Sequence, residues 1–76
     1  MLWLSIMTPS EMSKMNKMVG FIRKNGQIDK YDLVIASGIS NSYYEKLKPF
    51  MERLYKDIVY DKTTKIWKVI QIEDFD

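Results

Sequence analysis

The sequence predicts a small α+β domain with three helices, a short strand and a C-terminal β-hairpin. Apolar residues recur at helical spacing from Met12 to Ile22, which predicts a first amphipathic helix. Two further helical segments follow, each preceded by small polar residues that suit helix caps, with a glycine turn between them. From Ile58 to Ile70 the pattern changes to β-branched and aromatic residues on both sides of a polar segment, which is typical of a hairpin.

The first helix is predicted from Pro9 to about Lys24, followed by the turn signal Asn25-Gly26. Thr8 is a suitable N-cap, and Pro9 suits the first helical position because an N–H there has no intrahelical partner. Glu11 completes a capping box with Thr8. The predicted buried stripe consists of Met12, Met15, Met18, Val19 and Ile22.

A short strand and a second helix come next. Gln27-Ile28 has room for a strand of two or three residues. Asp29 can cap a helix over residues 30–36, and Gly38 is expected to end it. Ile39 is then positioned to enter the core.

The third helix is predicted to be capped by Ser40 or Asn41 and to run to about Tyr55. Pro49 inside it predicts a kink or two shorter helices, because proline removes a hydrogen bond and presses on the carbonyl four residues back. Tyr44 is expected on the exposed face. The predicted buried stripe consists of Tyr43, Leu47, Phe50 or Met51, and Leu54.

The hairpin is predicted to have strands at Ile58–Tyr60 and Ile66–Ile70, joined by a charged tip at residues 61–65. The register of the two strands does not follow from the sequence.

The composition excludes several classes of function. The chain has no cysteine and no histidine, so it has no disulfide, no thiolate nucleophile and no Cys/His zinc site. It also lacks the most common general acid–base side chain and any glycine-rich phosphate loop, so we expect no enzyme, no cofactor and no small-molecule ligand.

The charge is unevenly distributed along the chain. All twelve Lys and Arg lie in residues 1–70 with seven acidic residues, whereas residues 71–76 contain only acids. A basic body followed by an acidic tail suits an anionic partner such as nucleic acid. The same lysines could equally serve solubility, and charge alone does not separate the two interpretations.

The chain length predicts one domain, with an apolar N-terminal segment at residues 1–8, a core at 9–70 and an acidic tail at 71–76. The apolar run MLWLSIM is too short to span a bilayer and lacks the flanks of a signal peptide. We therefore expect a cytoplasmic protein with no membrane association.

The order of elements resembles the winged-helix (winged helix-turn-helix) family over roughly residues 9–70. The resemblance depends on Asn25-Gly26-Gln27-Ile28, Leu33 with Ala36, the turn Ser37-Gly38-Ile39-Ser40, Leu47 with Phe50, and Ile66-Trp67-Lys68-Val69. Within the family the chain looks most like small single-domain regulators of archaea and of their viruses or plasmids.

The resemblance implies double-stranded DNA as partner, with the third helix in the major groove and the hairpin, or wing, along the backbone. On the helix, Asn41 would pair with adenine and Glu45 would either accept from a cytosine amino group or pair with a nearby lysine. The candidate DNA contacts are Lys30, Ser40, Asn41, Ser42, Tyr44, Glu45, Lys46, Lys48, Lys62, Thr63, Thr64 and Lys65. Each has a structural alternative: the small polar residues suit a helix cap, and the wing lysines suit a soluble turn.

The function predicted from this resemblance is transcriptional regulation through site occupancy. We expect a homodimer, formed through MLWLSIM with the first helix or through the C-terminal strand and tail. The alternative is a winged-helix adaptor that binds other proteins and does not read DNA.

Overall fold

The computed structural model describes residues 7–70, in which three helices pack against a three-stranded antiparallel sheet. The elements in chain order are α1 (Pro9–Asn25), β1 (Gln27–Asp29), α2 (Lys30–Ser37), α3 (Asn41–Leu54), β2 (Ile58–Asp61) and β3 (Ile66–Val69). The predicted α+β class and the predicted order of elements are confirmed.

Each helix begins at the cap that local chemistry favours. The Glu11 amide donates to Thr8 Oγ1 (3.1 Å) while the Thr8 amide donates to Glu11 Oε1 (3.0 Å), which forms the predicted capping box. Asp29 accepts from the Tyr31 amide, and Ser40, rather than Asn41, caps α3. These caps satisfy backbone donors that a helix leaves unpaired.

The sheet has β3 at its centre, in the order β1-β3-β2. Trp67 lies opposite Ile28 on one side and Tyr60 on the other. Because side chains alternate between the two faces of a sheet, Lys68 lies on the opposite face. Trp67 is fully buried and Lys68 is exposed, so the sheet covers the core with one face only.

The hairpin tip (residues 62–65) is held by Asp61. Its Oδ1 accepts from the backbone amides of Thr63 (2.9 Å) and Thr64 (3.4 Å). The Lys65 amide donates to the Asp61 carbonyl, and Lys65 has a left-handed backbone with φ of 62°. The Lys30 amide then donates to the Lys65 carbonyl (2.9 Å), which fastens the hairpin tip to the start of α2.

The core lies between the helices and the inner face of the sheet. Its buried members are Met7, Met15, Met18, Val19, Ile22, Leu33, Tyr44, Leu47, Met51, Ile58 and Trp67. Trp67 and Tyr44 are the largest of them, and the Trp67 indole N–H donates to the Tyr44 hydroxyl oxygen (2.9 Å). This bond satisfies the one polar hydrogen of the indole inside an apolar core.

The predicted inner face of α3 is partly wrong. Tyr44 is fully buried, whereas Tyr43 is only half-buried and Leu54 is exposed. Both tyrosines are at helical distance from Leu47, so spacing alone could not choose between them. The position of the Trp67 indole decides in favour of Tyr44, because it offers a hydrogen bond to the buried hydroxyl.

Pro49 lies inside a single helix, so the prediction of two shorter helices is wrong. The helix continues although proline has no N–H to donate. Leu47 and Met51 are both fully buried, so core packing holds the helix on each side of the proline.

Two segments of the sequence analysis lie outside the described residues: the run MLWLSIM apart from Met7, and the acidic tail after Ile70. Within residues 7–70, every helix lacks the length or the apolar character required to cross a membrane.

Candidate nucleic-acid interface

Apart from Lys30 at the start of α2, the predicted DNA contacts fall into two regions, the N-terminal half of α3 with its cap and the hairpin tip. Most are solvent-exposed, namely Ser40, Asn41, Ser42, Glu45, Lys46, Lys62, Thr63, Thr64 and Lys65. Lys30 and Lys48 are half-buried. Tyr44 is buried, so the prediction that it contacts DNA is wrong: its side chain lies in the core and cannot reach a groove without unfolding.

Burial also raises the pKa of the Tyr44 phenol well above its ordinary value, because an ionised phenolate would lose its hydration. The hydroxyl therefore stays protonated at physiological pH and its oxygen accepts from the Trp67 indole. Tyr44 is a structural residue of α3, and it fixes which face of the helix is presented to solvent.

The start of α3 presents small polar side chains. Ser40 is used as the cap, because its Oγ accepts from the Tyr43 amide (3.1 Å). Asn41 and Ser42 are exposed, and neither side chain has a hydrogen-bond partner within residues 7–70. An exposed amide with free donors and acceptors is the group that recognises adenine bidentately in a major groove.

Lys30 is surrounded by groups of the protein. Its ammonium lies 3.2 Å from Glu45 Oε2, 5.4 Å from the centre of the Tyr31 ring and 5.6 Å from that of Tyr44. The hydrogen bond that the Lys30 ammonium donates to Glu45 raises the pKa of Lys30. Of the two predicted roles of Glu45, pairing with a nearby lysine is the one observed.

Lys46 and Lys48 are also paired with acids. Lys46 donates to Glu11, whose pKa is lowered chiefly by this hydrogen bond, and the pair joins α3 to α1. Lys48 pairs with Glu52 (2.8 Å) one turn further along α3, and its ammonium lies 4.6 Å from the centre of the Tyr60 ring. Lys48 is thereby directed towards the sheet.

The lysines of the hairpin have a different environment. Lys62, Lys65 and Lys68 form no salt bridge with any residue of the described part of the chain. Asp61, the nearest acid in sequence to the tip, has its carboxylate occupied by backbone amides, which lower its pKa. The hairpin therefore presents positive charge that no salt bridge neutralises.

Tyr31 is a residue of this surface that sequence reasoning missed. Its ring is half exposed and lies near two ammonium groups, those of Lys30 at 5.4 Å and Lys65 at 6.0 Å. One signal was available, since Tyr31 directly follows Lys30, a predicted DNA contact. The bond between the Lys30 amide and the Lys65 carbonyl brings Tyr31 beside the hairpin tip, and that contact could not be foreseen.

The described residues contain no cluster of three or more acidic, histidine or cysteine side chains that could hold a metal ion. Comparison of the chain with protein-family models, with curated proteins and with solved structures gave no match.

Proposed function

We propose that the protein is a winged-helix DNA-binding protein that regulates transcription by occupying a site on double-stranded DNA. The order of three helices and a β1-β3-β2 sheet is compatible with that layout. In this arrangement α3 lies in the major groove and the hairpin tip lies along the phosphate backbone.

The observation that carries the proposal is that the hairpin tip, whose lysines form no salt bridge, is joined to α3 through Lys30, whose amide donates to the Lys65 carbonyl and whose ammonium lies 3.2 Å from Glu45 Oε2. Lys62 and Lys65 are exposed and form no salt bridge with any residue from 7 to 70. Asn41 and Ser42 are exposed with unused hydrogen-bonding groups. Lysines provide affinity for phosphate, and amide side chains provide selectivity for base edges, so the two regions supply complementary parts of DNA recognition.

The test is binding of the wild-type chain to a mixed-sequence duplex across a salt series. We expect a few phosphate contacts, made by the two hairpin lysines and by Lys30 or Tyr31, which lie beside them. The logarithm of the affinity should fall with the logarithm of salt concentration by about 0.9 per contact between about 50 and 200 mM salt. Absent binding at low salt, or binding that does not change with salt, would overturn the proposal.

A second candidate, a protein-interaction adaptor, is favoured by one observation. Ile35 on α2 is 76% exposed, and Tyr31, one turn before it on the same helix, is 52% exposed. Two large apolar side chains one helical turn apart form a patch that a partner protein could cover. Ile35→Ser separates the candidates, because it should leave the salt-dependent affinity for DNA unchanged and weaken binding to a protein partner.

A further inference from the structure

We infer that Glu45 and Lys30 are a coupled pair that makes one phosphate contact conditional on the base that Glu45 meets. This inference rests on the proposed DNA-binding function and adds to it the basis of base selectivity. In the free protein the two side chains neutralise one another across α2 and α3, with the ammonium 3.2 Å from Glu45 Oε2.

The two partners differ in solvent exposure, and this difference determines which side chain leaves the pair when DNA binds. The side chain of Glu45 is 51% exposed, whereas that of Lys30 is 16% exposed between the rings of Tyr31 and Tyr44. Glu45 can therefore turn to a ligand more easily than Lys30 can turn away from Glu45. It lies one turn after Asn41, on the part of α3 that faces the groove in the proposed complex.

A carboxylate in a major groove has one favourable base partner, the amino group of cytosine. Opposite a cytosine, Glu45 accepts a hydrogen bond from that amino group and releases Lys30, whose ammonium then binds a backbone phosphate. Opposite adenine–thymine pairs Glu45 gains less, since adenine offers an amino group beside an acceptor that repels the second carboxylate oxygen. Glu45 then remains paired with Lys30, and Lys30 does not contact the phosphate.

The ion pair is open to water on the Glu45 side, where the side chain is 51% exposed, and this allows the exchange to occur. Surface salt bridges contribute little free energy in water, so a base contact and a phosphate contact together are enough to replace one. Lys30 is also held near the DNA-facing surface whichever partner it has, because its backbone amide is bonded to the Lys65 carbonyl at the hairpin tip.

The test measures the salt dependence of binding to two duplexes, one of adenine–thymine pairs only and one rich in guanine–cytosine pairs. The wild-type chain should show a slope steeper by about 0.9 on the second duplex, which corresponds to one additional phosphate contact. The difference should vanish in Glu45→Gln and in Lys30→Met, each of which removes one member of the pair. Lys30→Met keeps an unbranched side chain of similar length and removes only the ammonium group.

Asp32→Asn is the matched control. Asp32 is an exposed acid on the same helix as Lys30, it has no salt bridge within residues 7–70, and its replacement changes the net charge by the same amount as Glu45→Gln. It should retain the slope difference between the duplexes.

A selection from a library of random duplexes gives a second readout. The wild-type chain should enrich cytosine at one position, and Glu45→Gln should lose roughly 5- to 150-fold of that discrimination. Cytosine enrichment that survives in Glu45→Gln would overturn the inference. Equal wild-type slopes on the two duplexes would overturn it too while leaving the proposed function in place. Salt-independent or absent binding to both duplexes would overturn the proposed function together with the inference.

Discussion

The lysines of α3 and those of the hairpin lie on neighbouring surfaces but differ in what surrounds them. Lys46 is paired with Glu11 and Lys48 with Glu52, whereas Lys62 and Lys65 have no acidic partner in residues 7–70. Counting lysines would assign the two regions equal attraction for DNA. Their ion pairs indicate that, in the proposed function, the hairpin supplies the attraction and α3 supplies hydrogen bonds.

In the proposed function, affinity and base selectivity therefore come from different regions of one small domain. Long-range attraction by unpaired charges brings a duplex near, but it does not depend on base sequence. The polar side chains at the start of α3 act only at contact distance, where base edges differ. In the proposed complex, Lys46 and Lys48 would add little affinity for arbitrary DNA, because each is paired with an acid.

The largest expected effect comes from breaking the link between the two regions, which is the contact of Trp67 in β3 with Tyr44 in α3. Trp67→Ala should lower the free energy of unfolding by about 3–5 kcal/mol, because it removes a fully buried aromatic side chain. Urea denaturation followed by circular dichroism measures the loss.

Tyr44→Phe is the conservative companion of that variant. It keeps the ring but removes the acceptor of the indole N–H, so it should cost about 1–3 kcal/mol. A Tyr44→Phe chain with the urea midpoint of the wild type would contradict the hydrogen bond as a stabilising contact.

The second prediction compares the two regions directly in DNA binding. Replacing both Lys62 and Lys65 with alanine should reduce the slope of log affinity against log salt concentration by about 1.8, since two phosphate contacts are removed. Lys46→Ala with Lys48→Ala should change the slope by less than half as much, because acids already neutralise both lysines.

Lys14→Ala with Lys17→Ala is the control for loss of charge. Both lysines are exposed on α1 and have no salt bridge in the described chain, and neither belongs to the proposed surface. A slope that falls equally in all three double variants would show that net charge, and not the hairpin, determines the affinity.

The third prediction concerns the cap of α3. Ser40→Ala should destabilise the protein by about 1 kcal/mol, because the Tyr43 amide loses its acceptor. Ser42→Ala, which removes an exposed hydroxyl without a partner, should change stability by less than about 0.5 kcal/mol. Thermal melts of the two variants measure the difference, and equal melting temperatures would contradict the role of Ser40 as cap.

The smallest expected effect is on the pH dependence of stability. The pKa values of Glu11 and Asp61 are lowered in the folded protein, by Lys46 and by the Thr63 amide respectively. The unfolded chain therefore binds protons first as the pH falls, and stability should decrease from about pH 5 downwards, through the folded pKa values.

Neutral variants separate the contributions of Glu11 and Asp61 to this pH dependence. Asp61→Asn keeps the acceptor for the Thr63 amide at the hairpin, and Glu11→Gln keeps the capping contact at α1. Each variant should flatten the profile of urea midpoint against pH. A variant whose urea midpoint depends on pH as strongly as that of the wild type would show that the replaced carboxylate does not contribute.

The elements of the fold could be predicted from sequence because their signals are local. The capping box of Thr8 and Glu11 lies within four residues, and the stops at Gly26 and Gly38 immediately follow their helices. The hairpin signal is equally local, since Ile58 and Trp67 belong to two β-branched and aromatic runs with a polar tip between them.

The site was predicted less completely because its contacts join distant parts of the chain. Lys46 and Glu11 are 35 residues apart, and Lys30 and Glu45 are 15 apart. No spacing rule relates such pairs, so the neutralisation of Lys46 could not be foreseen. Tyr43 and Tyr44 show the same difficulty: both fit the helical period, and only the indole of Trp67 distinguishes them.

The left-handed backbone of Lys65 sets the stability of the hairpin against the DNA binding that we propose. A left-handed conformation costs a residue with a side chain roughly 1–2 kcal/mol relative to glycine, yet this turn holds a lysine at φ 62°. Glycine at this position would give a more stable hairpin with one charge fewer beside Tyr31. Engineering the domain for heat resistance by the usual choice of turn residue would therefore weaken the surface that we propose for DNA.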